Sequence, residues 1–499
     1  MELDWLKQWA HYSPKNIALK DGETGREVSY AELFSSACKC SQMLARDFKV
    51  QTGDRVAVLA ANEIEYVVLF FAVQRLGAIL VPINFRLTQR EIEHILADAK
   101  PQLLIVQNEY AKAIENLTPS SRAAHQLSFE NFVTLLKNES PEPMSPFLAA
   151  PQDPCLILYT SGTTGSPKGA LISHENLFWN SINTTLRLNI SQQDCAVIFL
   201  PFFHTGGWNV LTTPFLHRGA KLVLLKKFDA EQILSLSEKE KATLLFGVPT
   251  TMDMMARHPR FHAFDLAQIR YAIVGGEPMP VPLIKIWQER NIPIRQGYGL
   301  TEFGPNVFSL NQEDSIRKVG SIGFPNFYIE AKIVDENEKE LAADQIGELI
   351  LRGPVCMLGY WQNEKATQDT IRKGWLYTGD LVRRDEEGYY YVVGRKKDMF
   401  ISGGENVYPA EVEQVLRMLS QVQEAAVIGV ADEKWGEVGK AFVVAPGISE
   451  EEIKEHCQKN LAKFKVPKYF SFVDRLPKGE SGKILKRELR EKHSATDDN

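Results

Sequence analysis

The stretch Leu158-Tyr-Thr-Ser-Gly-Thr-Thr-Gly-Ser-Pro-Lys-Gly-Ala170 constrains the chain more than any other. The apolar run Pro154–Leu158 before it and the run Gly169–Ser173 after it each read as a buried strand. Between and within them stand Gly162, Gly165 and Gly169, the hydroxyls of Thr160, Ser161, Thr163, Thr164 and Ser166, and one cation, Lys168. Glycines let a backbone approach a ligand closely, and successive free N–H groups in such a turn form an anion-binding concavity. A polyphosphate is the natural guest. A P-loop would place Lys-Ser/Thr at the opening of a helix; here Lys168 is followed by Gly169 and an apolar strand. Taken alone, the same composition also suits a flexible hairpin turn.

Other stretches carry residues that such a guest would need. Arg270–Met279 reads as a strand running into Gly275-Gly276-Glu277, and ligands of α/β sheets gather where strands end. In Gln296-Gly-Tyr-Gly-Leu-Thr-Glu302, read as a loop, Gly297 and Gly299 flank Tyr298, which offers a flat face for a purine. Thr301 can bond a phosphate, and Glu302 is a hard oxygen ligand suited to Mg²⁺, which takes one or two protein carboxylates beside phosphate oxygens. Ala196–His204 reads as a strand ending in a histidine, followed by Thr205-Gly-Gly-Trp208. Trp208 either projects apolar surface into a site or belongs to the core. Asp380, ending Gly374-Trp-Leu-Tyr-Thr-Gly-Asp380, can accept two ribose hydroxyls or close an ordinary turn. Arg395 ends a strand ahead of Lys396, Lys397 and a Gly403-Gly404 loop, and Lys483 sits in a Gly/Ser segment near the C-terminus. A lysine in such a place is ordinarily surface charge.

A chain of 499 residues exceeds one compact core and calls for at least two domains. A net charge of −6 gives no general electrostatic case for nucleic acid. Cys38, Cys40, Cys155, Cys195, Cys356 and Cys457 form no Cys-x-x-Cys pair and read as buried reduced thiols of a cytoplasmic protein. The N-terminus carries acids early and does not read as a signal peptide. The longest apolar stretch, Tyr66–Ile83, is broken by Gln74, Arg75 and Gly77, so a buried helix and strand are expected rather than a membrane span. Up to about residue 150, strands (Arg55–Ala60, Gly77–Val81, Gln102–Val106) alternate with helices (Glu65–Leu76, and Thr88–Ala99 capped by Thr88), which argues for parallel pairing.

The glycine hairpin, Gln296–Glu302 and Tyr389–Pro409, together with the intervening stretches in this order, resemble the signatures of the adenylate-forming enzymes: acyl-CoA synthetases, adenylation domains of peptide synthetases, and luciferases. The resemblance runs over nearly the whole chain. It implies an α/β fold with a large N-terminal domain (1–395) of layered α/β sheets plus a β-barrel-like part, and a small mobile α+β domain (396–499) hinged at Lys397. It implies ATP, Mg²⁺ and coenzyme A, and a carboxylic acid that becomes an acyl-adenylate and then a thioester. By the same resemblance Thr160–Gly165 and Lys168 take phosphates, Gly275–Glu277, Gly297–Gly299, Thr301, Asp380 and Arg395 the nucleotide, and Glu302 the metal. Lys483 would bridge carboxylate and α-phosphate, His204 would stand by the acyl carboxylate, and Gly403 and Gly404 would line the coenzyme A channel. The acyl pocket would be formed by His204, Trp208, Gly299 and Val307. Val307–Leu310 and Trp208 would supply an apolar wall on which no cation stands out, and Trp208, four residues after His204, resembles the gate of fatty acyl-CoA synthetases, so a medium- or long-chain fatty acid is expected. An aryl acid (benzoate, succinylbenzoate or coumarate type) and a carrier-protein-loading adenylation enzyme stand as alternatives. A luciferase-like oxygenase and a non-catalytic nucleotide-binding module would share many of the same residues. Peripheral membrane contact for a lipid substrate and homo-oligomers stay open.

Overall fold

The computed structural model describes residues 1–139, 146–160, 167–478 and 484–494. The chain divides into two compact units: Met1–Glu330 with Leu351–Leu376, and Ala331–Ile350 with Tyr377–Asn499.

The first unit is built on two large sheets. The seven-stranded one runs, edge to edge, through strands Gly359–Tyr360, Lys168–Ser173, Pro154–Thr160, Ile79–Pro82, Arg55–Leu59, Leu103–Val106 and His125–Ser128. Its five strands from Pro154–Thr160 to His125–Ser128 pair in parallel, as strand–helix–strand alternation requires. Lys168–Ser173 and Gly359–Tyr360 extend it antiparallel. The nine-stranded sheet has a parallel centre of six strands: Ile17–Asp21, Lys221–Leu224, Cys195–Ile198, Leu244–Gly247, Tyr271–Val274 and Ile294–Leu300. Glu27–Ser29 caps one side antiparallel; Gly304–Ser309 and then Phe324–Pro325 cap the other.

The sheet faces bury Val, Ile and Leu, and the helix Ile64–Arg75 is buried along its whole length, as an element covered on all sides must be. Thr88 caps Gln89–Ala99, its N–H and hydroxyl both donating to Glu91. Ser173 caps His174–Leu188 by accepting from the Asn176 N–H.

Three expectations change. The strand expected up to His204 stops at Ile198. Pro201 cannot donate to a ladder, the Phe202 N–H goes instead to Asn62 Oδ1, and His204 closes a turn on the Pro201 carbonyl. The segment Gly206–Thr212 then winds as a π-helix, a rare form that tends to mark functional sites. Second, Gln296–Leu300 is no loop but the end of a strand, with Thr301–Phe303 a single 3-10 turn. Third, Asp380 lies within the ten-residue strand Trp375–Arg384 rather than in a turn.

Beyond these sheets, Glu330–Val334, Gly347–Arg352, Trp375–Arg384 and Ile371–Arg372 form a sheet with Tyr390–Arg395 along Trp375–Arg384; the division between units falls within its strands. The second unit also holds an α+β module, in which Glu405–Val407, Phe400–Ser402, Gly436–Val444 and Glu424–Asp432 pair in that order and Tyr469–Phe472 joins Gly436–Val444 in parallel. Helices Pro409–Leu416 and Glu450–Asn460 contribute Val412, Leu416, Ile453 and Cys457 to its core. Among the described residues no helix is long and apolar enough to cross a membrane. Among the described residues the six cysteines form no disulfide; five are buried and Cys356 is half-buried.

Candidate active site

The strands that flank the glycine stretch pair antiparallel, with Thr160 opposite Lys168 and Leu158 opposite Ala170. Ser161, Gly162, Thr163, Thr164 and Gly165 lie outside the described residues, as does Lys483. What the structure describes is the base of the hairpin. Tyr159 donates to Asp98 Oδ2 at 2.6 Å and the Trp361 indole donates to the Asp98 carbonyl at 3.2 Å. The Lys168 ammonium stands 5.4 Å from the centre of the Tyr360 ring, a cation–π arrangement. Among the described residues no carboxylate lies within ion-pair reach of Lys168, so its charge is available to an anion.

Tyr360 reaches a second predicted residue. Its hydroxyl donates to Glu302 Oε1 at 2.9 Å, and the Met357 N–H donates to the Glu302 carbonyl at 2.9 Å. Burial, with the Glu302 carboxylate beside it, pushes the Tyr360 hydroxyl well above the usual phenol range, so it remains a donor. Lys168 and Glu302, 134 positions apart in sequence, therefore flank one tyrosine. The other Glu302 oxygen takes no hydrogen bond or ion pair among the described residues, and no group of three metal-ligating side chains exists among them. One half-buried carboxylate with an open oxygen fits Mg²⁺, which completes its shell with phosphate oxygens and water.

The strand leading to Glu302 is shaped for close approach. A Cβ on Gly299 would stand 2.2 Å from the Pro305 carbonyl group, so only glycine lets this strand fold back on Gly304–Ser309. Tyr298 packs edge-on against Phe308, ring centres 5.8 Å apart. Gly275 and Gly276 follow the end of Tyr271–Val274, and a Cβ on Gly275 would lie 3.6 Å from the Gly297 carbonyl, so these two motifs are neighbours; Glu277 is exposed. His204 is half-buried, with its ring 4.5 Å from Phe203.

Two of the residues expected in the acyl pocket are fully buried. Trp208 has no exposed surface: Phe202 and Phe70 stack on it at 4.1 and 4.4 Å, and Tyr66 meets it edge-on at 5.7 Å. The indole is clamped on three sides by these rings. Val307 is likewise fully buried.

Residues that the sequence reading passed over stand beside the π-helix. Asn180 and Asn306 both donate to the Asn209 carbonyl, at 2.7 and 3.2 Å, and Asn306 also donates to the Thr184 hydroxyl at 2.7 Å. Asn326 donates to the Asn306 carbonyl, and Asn183 accepts from the Tyr328 N–H. All five asparagines are buried, yet Asn180 Oδ1, Asn183 Nδ2 and Asn326 Oδ1 have no partner among the described residues. Asn180 Oδ1 faces Gly304, where an added Cβ would stand 3.0 Å away. Position alone carried a signal: Asn306 is four residues past Glu302, and Asn209 five past His204.

In the second unit Asp380 and Arg395 are ladder partners, and Arg395 Nε meets Asp380 Oδ1 at 2.6 Å. Glu348 accepts from the Gly379 N–H at 3.2 Å and from Lys396 at 2.9 Å, which ties the Thr378-Gly-Asp380 stretch to the residue after Arg395. Lys397 lies in the 3-10 turn Lys396–Asp398, and Gly403 and Gly404 turn the hairpin between Phe400–Ser402 and Glu405–Val407 with φ of +60° and +88°.

Comparison with known proteins agrees with this geometry. Residues 6–361 match the AMP-binding enzyme family and residues 411–483 the AMP-binding enzyme C-terminal domain. A feruloyl-CoA synthase of an Amycolatopsis species is 39% identical, covering 97% of this chain and 98% of its own. The long-chain-fatty-acid–CoA ligase FadD13 of Mycobacterium tuberculosis is 36% identical, covering 98% of each. Among solved structures, the o-succinylbenzoate coenzyme A synthetase of Bacillus subtilis in complex with ATP and magnesium ion is 32% identical; it superposes with a TM-score of 0.88 over 98% of this chain and 99% of its own. With both of its parts matched by family models, the chain belongs to the AMP-binding enzymes, the adenylate-forming superfamily of acid–thiol ligases.

Proposed function

We propose that this ligase activates an aryl acid whose ring carries a hydrogen-bonding group, and transfers the acyl group to coenzyme A. The observation that carries the choice of acid is the asparagine cluster. It lies against the strand that leaves Glu302 and the π-helix that follows His204, and three of its buried amide atoms lack partners among the described residues. A buried unpaired amide atom costs ~1–3 kcal/mol. A phenolic hydroxyl, which both donates and accepts, would satisfy an amide oxygen or an amide N–H; an alkyl chain would satisfy neither. The fatty-acid expectation rested on an apolar wall from Trp208 and Val307–Leu310 and on Trp208 as a gate; all of these residues are buried.

ATP, Mg²⁺ and coenzyme A accompany the reaction in this family. In the first step a carboxylate oxygen of the acid bonds to the α-phosphorus, the α–β bridging P–O bond breaks, and pyrophosphate leaves. In the second, the thiol sulfur bonds to the acyl carbon, the carbonyl–phosphate bond breaks, AMP leaves with the electron pair, and the thiol proton passes to solvent. In-line transfer of this kind is mostly positioning and charge stabilisation. Lys168 and the hairpin would hold the outer phosphates, Tyr298 the purine, and Asp380 with Arg395 the ribose. Glu302 would hold Mg²⁺, which neutralises phosphate charge when bound. Lys483 would bridge the acid carboxylate and the α-phosphate, and Lys397 would serve as the pivot between the two half-reactions. The test is thioester formation with 4-hydroxycinnamate, cinnamate, octanoate and palmitate. A site built around a substrate hydroxyl discriminates against the analogue lacking it, so kcat/KM should fall at least about tenfold from 4-hydroxycinnamate to cinnamate. Equal rates for that pair, or preference for palmitate, would overturn the aryl reading and restore the fatty acid.

A further inference from the structure

We infer that Tyr360 is a positioning residue that holds the Glu302 carboxylate for the metal ion and couples it to the phosphate hairpin through Lys168. The inference rests on Glu302 being the metal carboxylate, as proposed above.

Tyr360 lies in the two-residue strand Gly359–Tyr360, and the segment around it is bonded at almost every position. The Leu358 N–H donates to the Leu171 carbonyl at 2.9 Å and the Trp361 N–H to the Gly169 carbonyl at 2.7 Å. The Tyr360 N–H donates to Thr367 Oγ1 at 2.8 Å, and its carbonyl accepts from Asn363. Gly359 adopts a φ of +144°, and a Cβ there would stand 2.7 Å from Thr367, so the chain is fixed on both sides of the tyrosine. From this fixed backbone the ring passes under the Lys168 ammonium and the hydroxyl reaches Glu302. The same segment also fixes the Glu302 main chain through the Met357 N–H.

One oxygen of the carboxylate is thus held by a donor while the other is left open. A flexible glutamate would lose rotamer freedom on taking a cation; one already oriented loses less. Groups that orient metal ligands are commonly worth ten- to a hundredfold in metal affinity. The ring and the hydroxyl have separable duties, since phenylalanine keeps the cation–π face and removes only the donor.

The experiment uses the full chain and Mn²⁺ as the probe. Binding of Mn²⁺–ATP is followed by electron paramagnetic resonance, and binding of ATP in EDTA by calorimetry, for wild type, Tyr360→Phe, Tyr360→Leu and Glu302→Gln. Thermal melts establish that each variant is folded. Tyr360→Phe should bind Mn²⁺–ATP about tenfold more weakly with metal-free ATP binding unchanged. Tyr360→Leu should in addition weaken metal-free ATP. If Glu302→Gln weakens Mn²⁺–ATP while Tyr360→Phe does not, the positioning role is wrong although the metal site stands. If Glu302→Gln changes nothing, the metal assignment itself fails, and the inference with it. If Tyr360→Leu matches Tyr360→Phe in every measurement, the coupling to Lys168 is wrong.

Discussion

Replacing Trp208 by alanine separates a core role from a gate. The indole is fully buried, stacked on Phe202 and Phe70 and edged by Tyr66. Truncating a buried tryptophan costs about 3–5 kcal/mol, and loss of two stacked faces and an edge contact puts this site toward the upper end. Unfolding entropy of about 2.1 cal/mol/K per residue, over the roughly 350 residues of the first unit, gives about 0.7 kcal/mol/K, so Tm should fall by about 4–7 °C. The Nε1 donor has no partner among the described residues. Trp208→Phe keeps the stacking and removes that unpaired N–H, so it should lose less than half as much. Scanning fluorimetry of both variants, beside their acid preferences, is the assay. An unchanged Tm for Trp208→Ala together with a shift in the chain length accepted would refute the core reading.

Lys483→Ala should abolish pyrophosphate release from ATP and acid, by about 3–4 kcal/mol of lost charge stabilisation or more, yet still convert supplied acyl-AMP and coenzyme A to thioester; joint loss of both steps in a folded variant would remove its adenylation-specific role. Lys397→Pro fixes φ near −65° and should do the reverse, sparing pyrophosphate release and slowing thioester formation; a variant with both steps intact removes Lys397 as the pivot. Stability should also fall in mild acid. Burial holds His174 and His217 down at about 4, with the Arg218 charge adding to the effect at His217, against 6.5 ordinarily. Between those values the unfolded chain binds more protons, so the contribution of each neutral imidazole, about 3 kcal/mol, is present above pH 6.5 and lost by pH 4. Urea unfolding of wild type and His174→Gln across that range should give a shallower pH slope for the variant; identical slopes would refute the assignment to His174.

Elements governed by local patterning were readable. The alternation of apolar runs with helices foretold the parallel strands at Arg55, Ile79 and Leu103, and Thr88 marked the start of its helix by its own capping chemistry. The two strands at Pro154 and Gly169 were explicit in their apolar runs. What could not be read depended on partners far along the chain. The run Ala196–His204 looks like one strand, but Asn62 takes the Phe202 N–H and ends the regular pairing before it. Trp208 looked like a gate because its sandwich partner Phe70 is 138 positions away. The asparagines were ordinary letters, and Tyr360 a motif position without a role, until the fold set them beside Glu302, Lys168 and the π-helix.

Adenylation requires that the acid attack the α-phosphate of ATP. The most direct measurement supplies an acid labelled with ¹⁸O in its carboxylate, together with ATP, Mg²⁺ and coenzyme A, and follows the label by mass spectrometry. One ¹⁸O should appear in AMP for each thioester formed, with unlabelled pyrophosphate released in equal amount. Label in inorganic phosphate with ADP as the nucleotide product, or thioester formed with no label in AMP, would rule out an acyl-adenylate intermediate.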